Sequence, residues 1–230
     1  LFISLVLSCS LAVILELIIY SNLRQRRSDS LVFLISSLGI YIIIQNLISL
    51  IWGDDLKSIS LNKTDVGNKI FDAYVTDIQI ITFITSIVSY FAIILFLKKS
   101  IIGNRIRSIS SNKELAIIFG VNSNNIILVT MIIGSTLASI AGLIVGIDSG
   151  IKPNMGFNLL LYGVVAMIIG GAGSIWGILG GSLLLATAQH LGAYYFDSRW
   201  MDAIVYIILI LFLVWRPLGF SGKQLKKTEI

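Results

Sequence analysis

The sequence predicts an all-α, polytopic membrane protein with five long spans or span-like segments plus a glycine-interrupted helical hairpin. Three observations lead there. Apolar residues make up 56% of the 230 and charged residues 13%, against about 45–50% and about 25% in soluble domains. Apolar runs of roughly twenty residues recur along the chain, long enough as helices to cross a hydrocarbon core of about 30 Å. The charges sit in the short segments between those runs, with the basic ones gathered in alternate connections.

The first run, 1–19, contains Glu16, either an interfacial charge near Arg24, Arg26 and Arg27 or an internal polar anchor between helices. Its Cys9 is the only cysteine, which excludes an intrachain disulfide and a cysteine metal cluster and reads as a small packing or lipid-facing residue. The chain starts inside this apolar run without methionine or a basic leader, so an incomplete beginning is expected. Leu31 to Trp52 is a second span, free of charge. Gln45 and Asn46 near its far end need partners, which leaves two roles open: hydrogen bonding between helices, or lining a polar route for a small solute.

The polar stretch 53–77 carries a net −2 and leads into the third span, Ile78 to Leu97, where Tyr74, Tyr90 and Phe91 suit interface or packing roles. Residues 98–125 are basic, with a net +4. Within them SSNKELAIIFG favours a short helix: Ser111 or Asn112 as cap, Glu114 near the exposed amides, Gly120 as stop, and Leu115, Ile118 and Phe119 as an apolar side. That side suits a protein partner or the membrane surface. Ile126 to Ile147 is the fourth span; its Gly134, Ser135, Ala138, Ser139, Ala141, Gly142 and Gly146 permit close helix contact. Pro153 and neighbouring glycines mark a turn over 148–156.

Phe157 to Gln189 is longer than one span needs and is broken by Gly170, Gly171, Gly173, Gly177, Gly180 and Gly181, which favours two half-length helices joined by a tight turn. A connection over 190–202 follows, in which Asp197, Arg199 and Asp202 suit an ion pair at a helix start. Ala203 to Trp215, extended back toward Tyr195, is the last span, ended by Arg216 and Pro217.

Charge sets the topology. Segments 20–30, 98–125 and 216–230 together carry +9, while the connections between them carry −3. The positive-inside rule places the three basic segments in the cytoplasm. Residues 157–189 then begin outside, as does the last span, so the glycine region must enter and return as a hairpin or re-entrant pair.

Enzymatic and nucleic-acid roles find little support. His190 is the sole histidine, and basic residues clustered between apolar runs reflect membrane orientation rather than a nucleic-acid surface. GGAGSIWGILGG lacks the Lys-Ser/Thr pair of a phosphate loop and lies in an apolar run. Any ATP chemistry belongs to a separate subunit.

The pattern GNRIRSISSNKELAIIFGVN, followed by a small-residue span ending SIAGLIVG, then GGAGSIWGILGGSLLLATAQHLG and the terminal RPLGF, resembles the permeases of the branched-chain amino acid ABC transporter family. Glu16 ahead of a tyrosine-containing basic loop and SSLGIYIIIQNLISLIWG looks like the first of its two permease types. The resemblance covers nearly all of 1–230 as a single transmembrane permease domain, with the family's N-terminal portion expected to be missing.

The resemblance implies an ABC importer permease that forms the solute route and couples to ATPase subunits. The expected partners are a second permease subunit, two cytoplasmic ATPase subunits, an extracytoplasmic solute-binding protein and membrane lipid, in the inner (plasma) membrane of a bacterium or archaeon. No cofactor is expected on this chain, ATP being used by the partners. The resemblance makes 98–125 a cytoplasmic coupling segment, with Asn112, Lys113, Glu114, Ala116 and Gly120 as the ATPase contact, preceded by Arg105 and Arg107. Leu115 departs from the small residue often found beside Ala116. Gln45, Asn46 and the six glycines of the hairpin are assigned to translocation or packing. Branched-chain amino acids are the first substrate choice. Trp176, where amino-acid members often carry proline, keeps urea or short amides as the alternative. A non-ABC channel or secondary carrier would need intramembrane charge, for which only Glu16 and Asp202 offer themselves, and a non-transporting membrane scaffold is the third reading.

Overall fold

The structure, a computed structural model, describes residues 2–26, 28–58, 68–70, 73–216 and 219–220. Arg27, Pro217 and Leu218 of the terminal motif, the tail charges Lys223, Lys226, Lys227 and Glu229, and Lys63, Asp65 and Asp72 of the 53–77 stretch lie outside the described residues. Ten α-helices are described: α1 Phe2–Leu15, α2 Ser21–Gln25, α3 Ser30–Trp52, α4 Asp77–Lys99, α5 Ile101–Ser111, α6 Lys113–Ile118, α7 Ser123–Ser149, α8 Met155–Gly170, α9 Ile175–Tyr195 and α10 Met201–Trp215. A π-helical turn, Glu16–Tyr20, joins α1 to α2, and a 3₁₀ turn, Ser198–Trp200, leads into α10. Five helical stretches are long and apolar enough to cross a membrane: Phe2–Gln25, Ser30–Trp52, Asp77–Lys99, Ser123–Ser149 and Ser198–Trp215. The all-α expectation gains one small addition, an antiparallel strand pair β1 Asn68–Ile70 and β2 Ala73–Val75 within the polar 53–77 connection.

The chain divides into two compact units, 1–153 and 154–230. In the first, α1 packs along α7. Hydroxyls and a thiol carry the seam: Ser4 Oγ lies 2.8 Å from Ser139 Oγ, and Cys9 Sγ 3.3 Å from Thr136 Oγ1. Numbers that rise along α1 while falling along α7 make the pair antiparallel. Such polar contacts substitute in lipid for the hydrophobic drive that water would supply. Glu16, in the π turn, is only 2% exposed and accepts a hydrogen bond from Arg24 Nη2 of the same helical stretch, so it is a buried carboxylate with the arginine partner that the interfacial reading named.

The connections obey local rules. Thr76 and Gln79 close a capping box on α4, with Thr76 N–H donating to Gln79 Oε1 at 3.2 Å and Gln79 N–H to Thr76 Oγ1 at 3.4 Å. Lys98 and Lys99 fill its last turn, where cations meet the negative end of the helix dipole. The chain then doubles back at Gly103, where a Cβ would stand 2.5 Å from the Phe96 carbonyl oxygen. At the other end of α4 and α7, Lys57 and Ile151 exchange backbone hydrogen bonds of 3.1 and 2.9 Å. The 53–77 and 148–156 connections therefore meet on one side.

In the second unit α8, α9 and α10 surround Val165, Ala166, Ile169, Leu185 and Val205, with Ile169 and Val205 fully enclosed. Helices α8 and α9 meet at a break of four residues and turn through 118°. Two sequence expectations need correction here. The α9 helix runs on to Tyr195, so His190 lies inside a helix, exposed, rather than in a connection. Among the described residues Arg199 makes no ion pair with Asp197 or Asp202: Asp197 accepts from the Arg199 backbone N–H at 3.1 Å and from Ser198, while Asp202 accepts from the Tyr162 hydroxyl. An aspartate at a helix entry has unpaired amides within immediate reach, whereas an ion pair must fix a long side chain as well.

Candidate functional site

The segment 98–125 folds as a compact turn of three helical starts. Ser100 Oγ accepts from Ile102 N–H and opens α5. Asn112 ends α5 and begins α6, its extended backbone breaking the helix while Oδ1 accepts from Leu115 N–H at 3.0 Å. At the far end Gly120 adopts φ +79°, and two bonds close the helix: Gly120 N–H to Ile117 C=O at 2.9 Å and Val121 N–H to Ala116 C=O at 3.0 Å. That double bond with a left-handed glycine is a Schellman stop, a conformation costly to any residue with a Cβ. Asn122 then caps α7 by accepting from Asn124 and Asn125 N–H.

The turn has an inner and an outer side. Gly103 and Ala116 are buried, while Arg105, Arg107, Lys113 and Glu114 are exposed. Arg107 donates to Asn104 Oδ1, which holds its guanidinium along α5. Leu115, Ile117, Ile118 and Phe119 project outward, Ile118 and Phe119 being 77% and 82% exposed. Beside them an open groove of about 600 Å³ is lined by Asn104, Arg107, Ser108, Asn112, Leu115 and Phe119 among others. The segment thus presents a large apolar tip flanked by an open groove and a fringe of charge, a surface that suits a protein partner or the membrane surface.

The glycines of the second unit divide by task. Gly171 and Gly173 carry φ of +94° and +92° and make the break between α8 and α9. Gly170, Gly177 and Gly181 allow the helices to touch backbone to backbone: a Cβ on Gly177 would stand 2.1 Å from the Gly170 carbonyl oxygen, and one on Gly181 2.4 Å from that of Ala166. Around Gly180 there is open space. Residues Gly219 and Phe220 fold over the break. Phe220 N–H donates to Ile169 C=O at 2.9 Å, and a Cβ on Gly219, at φ +69°, would meet Gly171 N at 2.5 Å.

Gln45 and Asn46 belong to α3, in which no residue is buried. Asn46 Nδ2 donates to Ile42 C=O of its own helix at 2.7 Å, and Gln45 is half-buried. These amides lie in the first unit and the glycines in the second. Sequence reasoning overlooked the hydroxyl seam of α1 with α7 and the Tyr162–Asp202 bond. The signal for the first was present as a run of Ser4, Cys9 and Ser10 in one apolar helix, matched by the small residues of α7.

A sequence model of the family described as branched-chain amino acid transport system, permease component, matches residues 1–214. The chain belongs to that family. The permease is 31% identical over 227 residues to the high-affinity branched-chain amino acid transport system permease protein BraD of Pseudomonas aeruginosa, covering 96% of this chain and 73% of BraD. It is 32% identical over 203 residues to the corresponding protein LivH of Escherichia coli, covering 86% of this chain and 66% of LivH. A probable LivH of Methanocaldococcus jannaschii shares 29% over 142 residues. No solved structure matches. Family membership, together with the five candidate spans, makes the chain a multi-pass inner-membrane permease component, a transport subunit rather than an enzyme.

Proposed function

We propose that this chain forms part of the solute route of an ABC importer for branched-chain amino acids, and that α5–Asn112–α6 is the knob through which one of two cytoplasmic ATPase subunits drives it. A second permease subunit completes the route, and an extracytoplasmic binding protein delivers the solute. The observation that carries the reading is the exposed apolar tip Leu115–Phe119, held between the Asn112 cap and the Gly120 stop on the most basic interior segment of a chain in this family. Its charge pattern puts the tip in the cytoplasm. Three features of the first unit agree with that orientation: the two acidic-to-neutral connections meet at Lys57 and Ile151, α1 runs antiparallel to α7, and α5–α6 pack at the opposite ends of α4 and α7.

The same orientation has α8 and α9 entering and returning as a glycine-interrupted hairpin. The 118° turn and the contact of Phe220, just beyond the last span, with Ile169 support a break that reaches the face where α10 ends. In this reading Gly170, Gly171, Gly173, Gly177 and Gly181 shape the hairpin, while Gln45 and Asn46 are a separate polar contribution to the route.

The test is reconstitution with the second permease, both ATPases and the binding protein, followed by ATP-driven uptake of leucine, isoleucine, valine and urea. Glu114→Arg and Gly120→Pro are expected to abolish ATPase copurification and uptake, because proline demands φ near −65° and removes the N–H bonded to Ile117. Wild-type assembly and uptake in both variants would remove the knob from the mechanism. Uptake of urea without the amino acids would replace the substrate class.

A further inference from the structure

The second unit carries a groove that the import reading leaves unused. It measures about 560 Å³ and lies between α9 and α10, with Leu184, Ile208, Leu211, Phe212 and Phe220 as its apolar wall and Trp215 and Arg216 at one end. Its shape is built. Phe220 is fixed by its backbone bond to Ile169 at 2.9 Å and by an edge contact with the Phe212 ring at 5.0 Å. A hydrophilic solute would lose its hydration in such a groove without finding partners, at a cost of about 2–7 kcal/mol per polar group. An alkyl chain would lose nothing.

The mouth adds charge. Arg216 makes no ion pair among the described residues, and the Trp215 side chain is 84% exposed at the end of an apolar span. Tryptophan and arginine together at a span end mark the headgroup level of a bilayer. The sequence continues with Lys223, Lys226 and Lys227, which extend the same sign of charge.

We propose that this groove is a phospholipid site, in which one acyl chain of an anionic lipid lies against Leu184, Ile208, Leu211, Phe212 and Phe220 while Arg216 holds the phosphate. The site goes beyond transport and rests only on the orientation that puts the end of α10 at the cytoplasmic leaflet. The lipid also has a structural consequence. It covers the Phe212–Phe220 contact that helps tie Phe220 to the α8–α9 break, so its loss would loosen that tie.

The test uses the full chain in phosphatidylcholine nanodiscs containing about 20 mol % phosphatidylglycerol, since basic groups at a membrane face attract anionic lipid. Lipids retained after extraction are counted by native mass spectrometry. Wild type is expected to retain phosphatidylglycerol in preference to phosphatidylcholine, and Arg216→Gln to lower that preference about fivefold. Leu211→Trp, which fills the groove from an exposed position, is expected to release the lipid altogether, with Leu184→Trp doing the same from α9. A triple Lys223→Gln, Lys226→Gln, Lys227→Gln variant controls for diffuse attraction and is expected to keep the bound lipid. Retention at wild-type level in Arg216→Gln, or in both groove-filling variants with an unchanged gel-filtration profile, overturns the site. So does displacement of the lipid when the second permease subunit is added.

Discussion

Neighbouring glycines Gly180 and Gly181 give a controlled pair for measuring how tightly α8 and α9 are pressed together. Both lie in the interior of α9, so replacing either by alanine brings the same gain in helix propensity, about 0.5–1 kcal/mol. Their surroundings differ. A Cβ at Gly180 meets nothing within 4 Å, whereas one at Gly181 would stand 2.4 Å from the Ala166 carbonyl oxygen and 2.8 Å from Gly170 N. An ordinary contact for such a carbon begins near 3.4 Å, so α8 and α9 must part by about 1 Å, and overpacking of this kind costs about 1–3 kcal/mol. The obstacles are backbone atoms, which have no rotamer to yield, so the upper half of that range applies. Because the propensity gain cancels between the two variants, their difference isolates the packing cost. At about 2–4 °C per kcal/mol for a chain of this size, Gly181→Ala is expected to melt at least about 4 °C below Gly180→Ala. The assay is thermal loss of the monodisperse peak in fluorescence-detected size exclusion. Equal melting temperatures would refute the backbone contact and, with it, the packing role of Gly181.

Three further outcomes follow from the first unit. Arg24→Gln leaves the Glu16 carboxylate buried without its partner and is expected to cost about 3–5 kcal/mol, while the double Glu16→Gln, Arg24→Gln variant recovers most of it; purified yield and melting temperature report both. Ser4→Cys with Ser139→Cys, in a Cys9→Ala background, is expected to form an oxidative cross-link, since the two hydroxyl oxygens are 2.8 Å apart, and an uncross-linked band would dismiss the antiparallel α1–α7 seam. Asn112→Ala removes the α6 cap at a cost of about 1 kcal/mol, to be seen as roughly fivefold faster hydrogen exchange at Leu115 with little change within α7.

Much of this architecture is written in the sequence because lipid imposes strict terms. A helix in hydrocarbon must be apolar and about twenty residues long, which placed four of the five spans within about three residues of their ends, while the first helical stretch runs on from the expected Ile19 to Gln25. The 98–125 segment was legible for a different reason: Asn112 and Gly120 act through bonds to their own neighbours, which need no tertiary knowledge. What escaped depends on contacts between distant residues. Nothing local tells that Asp202 turns to Tyr162 rather than to Arg199, or that Gly180 stands free while Gly181 is pressed against α8. The composition of α3 left two roles open for Asn46, and the bond of its Nδ2 to Ile42 C=O of its own helix is compatible with either.

The two units are held together by different means, and this bears on how each responds to a push. In the first, the α1–α7 seam is made of hydroxyl and thiol contacts, each worth about 0.6 kcal/mol in a membrane, with side chains that re-pair after a small slide. In the second, Gly170, Gly177 and Gly181 bring backbone against backbone, and Gly219 closes on Gly171 in the same way. Contacts of that kind have one good arrangement and are lost by a shift of about 1 Å. Under the proposed coupling role, a load applied at Leu115–Phe119 would reach α7 through Val121 and the Asn122 cap, and α7 in turn packs on α1 through the adjustable seam. The yielding element thus lies in the same unit as the proposed coupling knob, while the glycine break belongs to the unit whose backbone contacts tolerate less displacement.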